Sequence, residues 1–511
     1  MKFSINKITR LLCISGLIWL NLPAQILQPG ESPVARYTGL MLHSSLNPAF
    51  IVFDYAGPSI TYQAEYNTFE GEFKRAFDPG RTVDYYWTAA GLKALGNNQI
   101  FRGSFSYHRQ SINGKMWVHA RQPYIGVPFL LADSSVGGFN LNGIYWQMDY
   151  GVDLIPGSLA GGLSIYYNVD ESYKTIFPKP KNNIRDLLIS FGTGINTAAG
   201  YRIGLTGTYF NFQEINKTSK YSADQDLTPI FYKIRGFDNP LIFRGETSEE
   251  RLTTLDGYAI NIDLIKINGH YLSGQISGGM ENARAHLLDG GSYPVEQGWW
   301  WSERYNFNGY AKLQLAPRYT TNCTVSGEVN QQTANHPELE IEVYSSSNKF
   351  ISGRWSLGFQ SSKNTAYSMG LSGYSQSMTQ TDYYNGLLNY FPAVGGGADV
   401  NLTQRWFDKI DIGLKLGTLI HKTGNGEIFA AITGNYYNQV TVRDIAYYRS
   451  DWQNIYFEAK VVWFGNNLIK YSLVGKFTEV SLKNNNELIG ISDDVSRTAM
   501  NIKLVVERLN Q

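Results

Sequence analysis

The sequence predicts an all-β fold: a transmembrane antiparallel β-barrel of about 14–18 strands, 16 being the best single count, with long extracellular loops. Three observations predict it. The chain opens on an export signal, no later apolar run is long enough for a helical span, and period-two alternation recurs for about ten residues at a time.

Lys2, Lys7 and Arg10 form a basic leader, Leu11 to Leu20 an apolar run, and Leu22-Pro23-Ala24 a small-residue exit. Residues 1–24 are therefore read as a signal peptide cleaved after Ala24. Cys13 does not make it a lipoprotein signal, because Arg10, Leu11 and Leu12 precede it. Only Cys323 survives maturation, so export brings no intramolecular disulfide. Removing Lys2, Lys7 and Arg10 turns the formal charge of +1 into −2, a balance that argues against nucleic acid as a partner. If the mature chain enters a membrane without a helical span, it must do so as a closed barrel.

The alternation is clearest over 144–154, where Ile144, Trp146, Met148, Tyr150, Val152 and Leu154 oppose Tyr145, Gln147, Asp149, Gly151 and Asp153. One face suits lipid and the other water. The same pattern marks 60–67, 101–108, 319–330, 410–416, 455–463 and 500–506, and weaker forms mark 160–170, 186–196, 200–212, 257–268, 271–281, 305–315, 350–360, 366–376, 394–403 and 468–478. A secreted sandwich or propeller would also alternate. Strand length, aromatic residues near the ends of the apolar stripes, and short connections alternating with long ones favour the membrane barrel. The long connections fall near 68–99, 214–256, 282–304, 331–349, 377–390 and 435–453, while 110–143 leaves room for an unplaced strand pair. One barrel domain, 59–511, is expected, preceded by a segment, 25–58, that could plug the lumen.

Gly103-Ser104-Phe105-Ser106-Tyr107 leads to Gly114-Lys115-Met116-Trp117, followed by Ala132-Asp133-Ser134-Ser135-Val136-Gly137-Gly138 and the turn Pro178-Lys179-Pro180-Lys181-Asn182. In content and order these resemble an uncharacterised family of outer-membrane β-barrel proteins from Bacteroidota, over most of the mature chain. The resemblance implies the cell outer membrane, outer-membrane lipid as surroundings, and companionship with TonB-dependent receptors or another envelope complex. It implies no catalytic residue. Asn47-Pro48-Ala49 also resembles a motif near the mature N-terminus of barrels that import hydrophobic compounds and of barrels in gliding and secretion machinery. Asn-Pro is equally a common way to start a turn. Many such barrels end in an aromatic residue, whereas this chain ends Leu509-Asn510-Gln511.

No nucleophile elbow, zinc helix, paired cysteine motif or phosphate-binding glycine turn is present, and the seven histidines show no metal-ligand spacing. No cofactor and no metal site is expected. The polar faces instead assign Arg102, His108, Asp149, Asp170, Arg202, Asp263, Lys312, Glu328, Asp411, Lys415, Glu458 and Lys460 to the lumen. Two readings of these charges stay open: they line a water-filled pore, or they pair across strands and close it. Trp299, Trp300 and Trp301 cannot all share one side of a strand. Together with Tyr383 and Tyr384 they suit either an interfacial girdle or a ligand-stacking platform in a loop.

Three functions compete. The first is an uptake or channel component for a small solute. The second is a non-conducting accessory barrel for a TonB-dependent receptor or a secretion or gliding complex. The third is an outer-membrane hydrolase, which needs a Ser or Asp within hydrogen-bond reach of a His at the rim.

Overall fold

A strand with one face in lipid must pair on both edges, because an unpaired backbone amide in hydrocarbon costs several kcal/mol (~2–7). The chain meets this demand by closing its sheet. The computed structural model describes residues 47–509 apart from 122, 126, 219–229, 237–240, 245–248, 267–271, 339, 408, 430–435, 466–468 and 484–494. The segment expected to be a signal peptide and residues 25–46 thus lie outside the described residues.

In chain order the strands are β1 (Ser59–Gly71), β2 (Arg81–Ala94), β3 (Gln99–Lys115), β4 (Phe129–Ala132), β5 (Gly137–Ile155), β6 (Leu159–Lys174), β7 (Lys181–Asn196), β8 (Tyr201–Thr218), β9 (Ile230–Arg235), β10 (Leu241–Arg244), β11 (Glu249–Lys266), β12 (Leu272–Asp289), β13 (Val295–Ala316), β14 (Tyr319–Asn335), β15 (Glu342–Gln360), β16 (Thr365–Asp382), β17 (Leu387–Trp406), β18 (Ile410–Thr423), β19 (Glu427–Phe429), β20 (Trp452–Phe464), β21 (Ile469–Leu482) and β22 (Ser496–Leu509). Among the described residues, all but β4, β9, β10 and β19 form one antiparallel ring of 18 strands, each paired to its neighbour in sequence. β22 returns to β1 in register from Ser59↔Leu509 to Gly71↔Arg497 and closes it.

The two ends of the ring differ. Connections at one end, such as 95–98, 156–158, 197–200 and 317–318, have four residues or fewer, and β1 starts and β22 finishes at that end. The long connections 72–80, 116–136, 219–248 and 424–451 lie at the other end. Side chains sort by face. On β11, Tyr258, Ile260, Ile262 and Leu264 are exposed outward, whereas Leu255, Ala259, Asn261 and Asp263 are buried inward.

The long connections turn into the barrel. β4, β9 and β10 form a three-stranded sheet of their own, with Phe129↔Arg235 and Leu241↔Lys233 in register. Phe129 and Ile125 pack on the inward Leu188, Phe210, Phe212, Leu287 and Trp300, so an apolar core sits inside the wide-loop end. Beside it, a π-helical turn (Tyr437–Thr441) runs into α2 (Val442–Tyr448), the first helix, α1 (Phe50–Asp54), lying near the chain start. Trp117 donates through its indole N–H to Gln439 Oε1 at 2.7 Å, tying the two inserted connections together.

Several expectations need correction. The strand count is 18 rather than 16, and the stretch 68–99 is not a loop, because β2 lies in it. Inward Tyr86, Ala90 and Leu92 blur the alternation of β2, so its period-two signal fades. The stretches 282–304, 331–349 and 377–390 are mostly strand, their true connections being 290–294, 336–341 and 383–386. Strands of up to 22 residues run past the alternating stretch, and at the wide-loop end their inward faces meet the inserted connections, in places the apolar core around Phe129 and Trp300, so pairing continues there without a polar inner face. Among the described residues of 110–143, one inner strand, β4, stands between the end of β3 and the start of β5, rather than a further wall pair.

Candidate functional site

The lumen is occupied from both ends. At the short-turn end, Asn47-Pro48-Ala49 makes a tight turn into α1 and lies against the inner wall of β5–β8. The Asn47 carboxamide donates to the backbone oxygens of Thr193 (2.8 Å) and Leu205 (3.1 Å), and its own Oδ1 accepts from the Ala49 N–H at 3.0 Å. The turn fits because the wall beneath it lacks side chains. A Cβ on Gly162 would strike Pro48 and Ala49, and one on Gly192 would strike Asn47. The Phe50 ring covers Gly194, 2.8 Å from where a Cβ would stand. Arg202 fastens the far end by pairing with Asp54 and lying over the Phe53 ring at 5.3 Å.

At the wide-loop end, polar latches hold the inserted connections to the wall. Lys174 and Asp133, 1% and 2% exposed, pair at 2.8–2.9 Å. Lys174 also donates to Ser135 O (2.9 Å) and Ser135 Oγ (2.8 Å), and His119 Nε2 joins Asp133 at 2.6 Å. Burial alone would raise the Asp133 carboxyl, but the bonds and charges of His119 and Lys174 outweigh it and hold it at about 2. Burial lowers the His119 imidazole below its ordinary value, outweighing the opposing pull of Asp133. A second latch joins Arg121 to the wall: its guanidinium pairs with Asp170 and its backbone N–H reaches Glu214 Oε1 at 2.6 Å. A third joins Arg251 and Lys233 to Asp289, at 2.5 and 2.8 Å.

The residues assigned to the lumen from alternation lie as follows. Arg102 pairs with Asp149 at 2.7 Å, and His108 meets Asp170 at 3.1 Å while stacking on Tyr86. Glu328 pairs with Arg304 and Asp411 with Arg405, both at 2.6 Å. Asp263 accepts from Gln275, and Lys312 lies half-buried on β13. Lys415 approaches Asp399 at 3.9 Å, while Glu458 and Lys460 stand two residues apart on β20. Close ion pairs thus occur in both parts of the wall, at Arg102–Asp149 and His108–Asp170 on β3–β6 and at Arg405–Asp411 on β17–β18.

The Trp run lies in β13 rather than in a loop, and its members divide by face. Trp300 is fully buried in the inner core. Trp299 and Trp301 face outward, where Trp299 stacks on His286 at 3.7 Å and carries the Arg284 guanidinium at 3.6 Å. Tyr383 and Tyr384 are exposed at the tip of a wide-end turn, Tyr383 within 3.1 Å of Ser345 Oγ.

Alternation could not point to Arg121, His119, Asp133, Lys174 or the glycines under Asn47. The first three sit on an irregular connection, and a buried lysine and a row of wall glycines acquire meaning only once something is placed against them. The Ser135 hydroxyl donates to Asp133 and accepts from Lys174, so its proton goes to a carboxylate and not to the imidazole a nucleophilic serine requires. Among the described residues, no cluster of three or more His, Cys, Asp or Glu could hold a metal ion.

Among solved structures, the chain is similar to the ferric yersiniabactin uptake receptor FyuA from Yersinia pestis, with 7% identity, a TM-score of 0.40, and coverage of 88% of this chain and 80% of that one. It is likewise similar to the siderophore receptor PirA from Pseudomonas aeruginosa, with 9% identity, a TM-score of 0.38 and coverage of 88% and 80%. The copper transporter OprC gives 7%, 0.40, 88% and 80%. A search of curated proteins gives no match. The family model described as a family of unknown function (DUF6850) matches residues 48–506, nearly the whole span of the ring and its inner turn, and the chain belongs to that family.

Proposed function

We propose that this protein is an outer-membrane uptake or channel component whose lumen is closed at both ends by its own chain and passes a small solute when the closures move. The single observation that carries this reading is the seat of Asn47–Asp54. A short segment rests in the lumen on bare glycines, held by two side-chain bonds to backbone oxygens and one ion pair. In this reading residues 25–58 form a periplasmic plug, and the short-turn end faces the periplasm, as is usual for bacterial barrels. The outward apolar stripes meet outer-membrane lipid, with Trp299, Trp301 and their neighbours as a girdle, in an envelope of the Bacteroidota type.

The decisive measurement is conductance in planar bilayers. The full chain should conduct weakly, and deletion of residues 25–58 should raise the current several-fold. A barrel that stays silent after the deletion would sink the channel reading.

A second reading has its own support. The apolar core around Phe129 and Trp300 makes the wide-loop plug resemble a permanent filling, which suits an accessory barrel serving a TonB-dependent receptor or another envelope complex. Affinity purification from solubilised membranes should then recover a large partner at near-equal amount, and recovery of the lone chain would count against it. Against the hydrolase reading, the Ser135 hydroxyl is bonded to Asp133 and not to an imidazole, so it does not supply a serine nucleophile.

A further inference from the structure

On the outer face of the ring, at the short-turn rim of β1, β2 and β3, lies a groove of about 340 Å³, within the range of small-ligand sites (~300–1,000 Å³). Pro58 and Ile60 stand on one side and Phe101 on the other, Gly91 and Gly103 leave the floor bare, and Lys93 stands at the mouth. Register explains the hollow. Ile60, Gly91 and Gly103 face one another across the three strands, so a row of three outward positions holds a single side chain. A Cβ on Gly91 would come no nearer than 3.9 Å to another group, the Ser59 carbonyl oxygen, so the space above it is open.

The charge around the groove is of one sign. Arg508 stands on β22 in register beside Ile60, and Lys93 faces Phe101, two residues from Gly91. Both cations are exposed, and among the described residues neither makes an ion pair or a hydrogen bond. Glu507, next to Arg508 in sequence, takes the opposite face and pairs with Lys470 at 3.3 Å. Lys266, a cation further round the same rim, donates instead to the Tyr201 hydroxyl at 2.9 Å and lies over its ring at 4.2 Å. Other outward positions near this rim carry exposed rings, as at Tyr319, Tyr367, Trp406 and Trp463, which suit the headgroup level of a bilayer. Between β22 and β3 these rings give way to a hollow flanked by two cations. An apolar chain that ends in an anion matches both parts: the hollow removes the chain from water and the cations meet the phosphate.

We propose that this groove holds one phospholipid with a net-negative headgroup, its acyl chain over Gly91 and Gly103 and its phosphate between Lys93 and Arg508. This rests on the outer-membrane reading, with the short-turn rim in the periplasmic leaflet, and needs neither conduction nor a partner. The full chain in detergent is stripped of lipid and followed by native mass spectrometry after addition of phosphatidylglycerol or, separately, phosphatidylcholine with the same acyl chains. One phosphatidylglycerol should be retained, with a preference of about tenfold over phosphatidylcholine. Lys93→Gln combined with Arg508→Gln should abolish the preference. Gly91→Val, which fills the hollow with a residue suited to strands, should lower the retention of both lipids. Both variants should keep the heat-resistant folded band of the wild type on gels. Equal retention of the two lipids by the wild type, or an unchanged preference in the double variant, overturns the site. Displacement of the lipid by an equal concentration of glycerol 3-phosphate would show a free-anion site, and a dimer peak lost in Gly91→Val would put a second copy of the chain in the groove; either result also overturns it. Insertion into vesicles separates this from the broader reading: a chain that enters vesicles of neither lipid fails as a membrane protein and takes the site with it, whereas insertion with equal retention removes the site alone.

Discussion

At the residue scale, the most consequential pair is Lys174 with Asp133, because both charges are almost wholly withdrawn from water. Removing one partner leaves the other uncompensated. Lys174→Met should therefore cost about 3–5 kcal/mol in the docking of the 116–136 connection, and Asp133→Asn added to it should restore much of that loss. Melting temperatures of the two variants in detergent decide the matter; equal melting of single variant and wild type would refute the latch. Asp444 makes a pH-dependent contact. Its carboxyl accepts the Ala76 N–H at 2.7 Å, and burial pushes it up to about 6 from an ordinary 3.8. The neutral acid is favoured in the folded state, so its contribution is complete below about pH 4 and is lost as pH rises through about 6. Hydrogen exchange at the Ala76 amide, corrected for intrinsic rate, should accelerate across that window in the wild type. It should stay flat in Asp444→Asn, and parallel profiles would exclude Asp444 as the cause.

At the element scale, the turn at Asn47 and the glycines beneath it act as one unit. Gly192→Val suits a β-strand, yet its branched side chain would occupy the place of Asn47. The expected result is a barrel that assembles normally, conducts as strongly as the chain lacking residues 25–58, and gains nothing further when both changes are combined. Asn47→Ala, which loses three side-chain hydrogen bonds worth about 1 kcal/mol each, should give an intermediate current. Additive effects of the valine and the deletion would separate the glycine seat from the segment. β13 illustrates a different point. Consecutive residues of a strand alternate in face, so Trp300 enters the inner core while Trp299 and Trp301 stay outside with Arg284 and His286.

At the scale of the whole molecule, the ring presents a continuous outward apolar surface, and the lipid reading makes a simple demand of it. Ile262→Arg, in the outward stripe of β11, should cost about 2–4 kcal/mol on insertion and lower the yield of folded barrel in lipid. Tyr293→Arg, on an exposed wide-end turn, should have no such effect. Comparable yields would speak against a membrane ring. Much of this architecture was readable in advance. The stripes of β5, β14 and β20 alternate cleanly because the two sides of the wall differ in chemistry, so the faces of these strands and the barrel class were readable from sequence alone. β2 was not readable, since its inward Tyr86, Ala90 and Leu92 are as apolar as an outward face. Nor were the latches: whether Lys174 meets Asp133, or Gly192 meets Asn47, depends on contacts between residues 41 and 145 positions apart in the chain. Periodicity reports which side of a wall a residue takes. What stands against that side, and hence whether the lumen is open, plugged or charged, was decided only by the folding of connections back into the ring, which carries no local period.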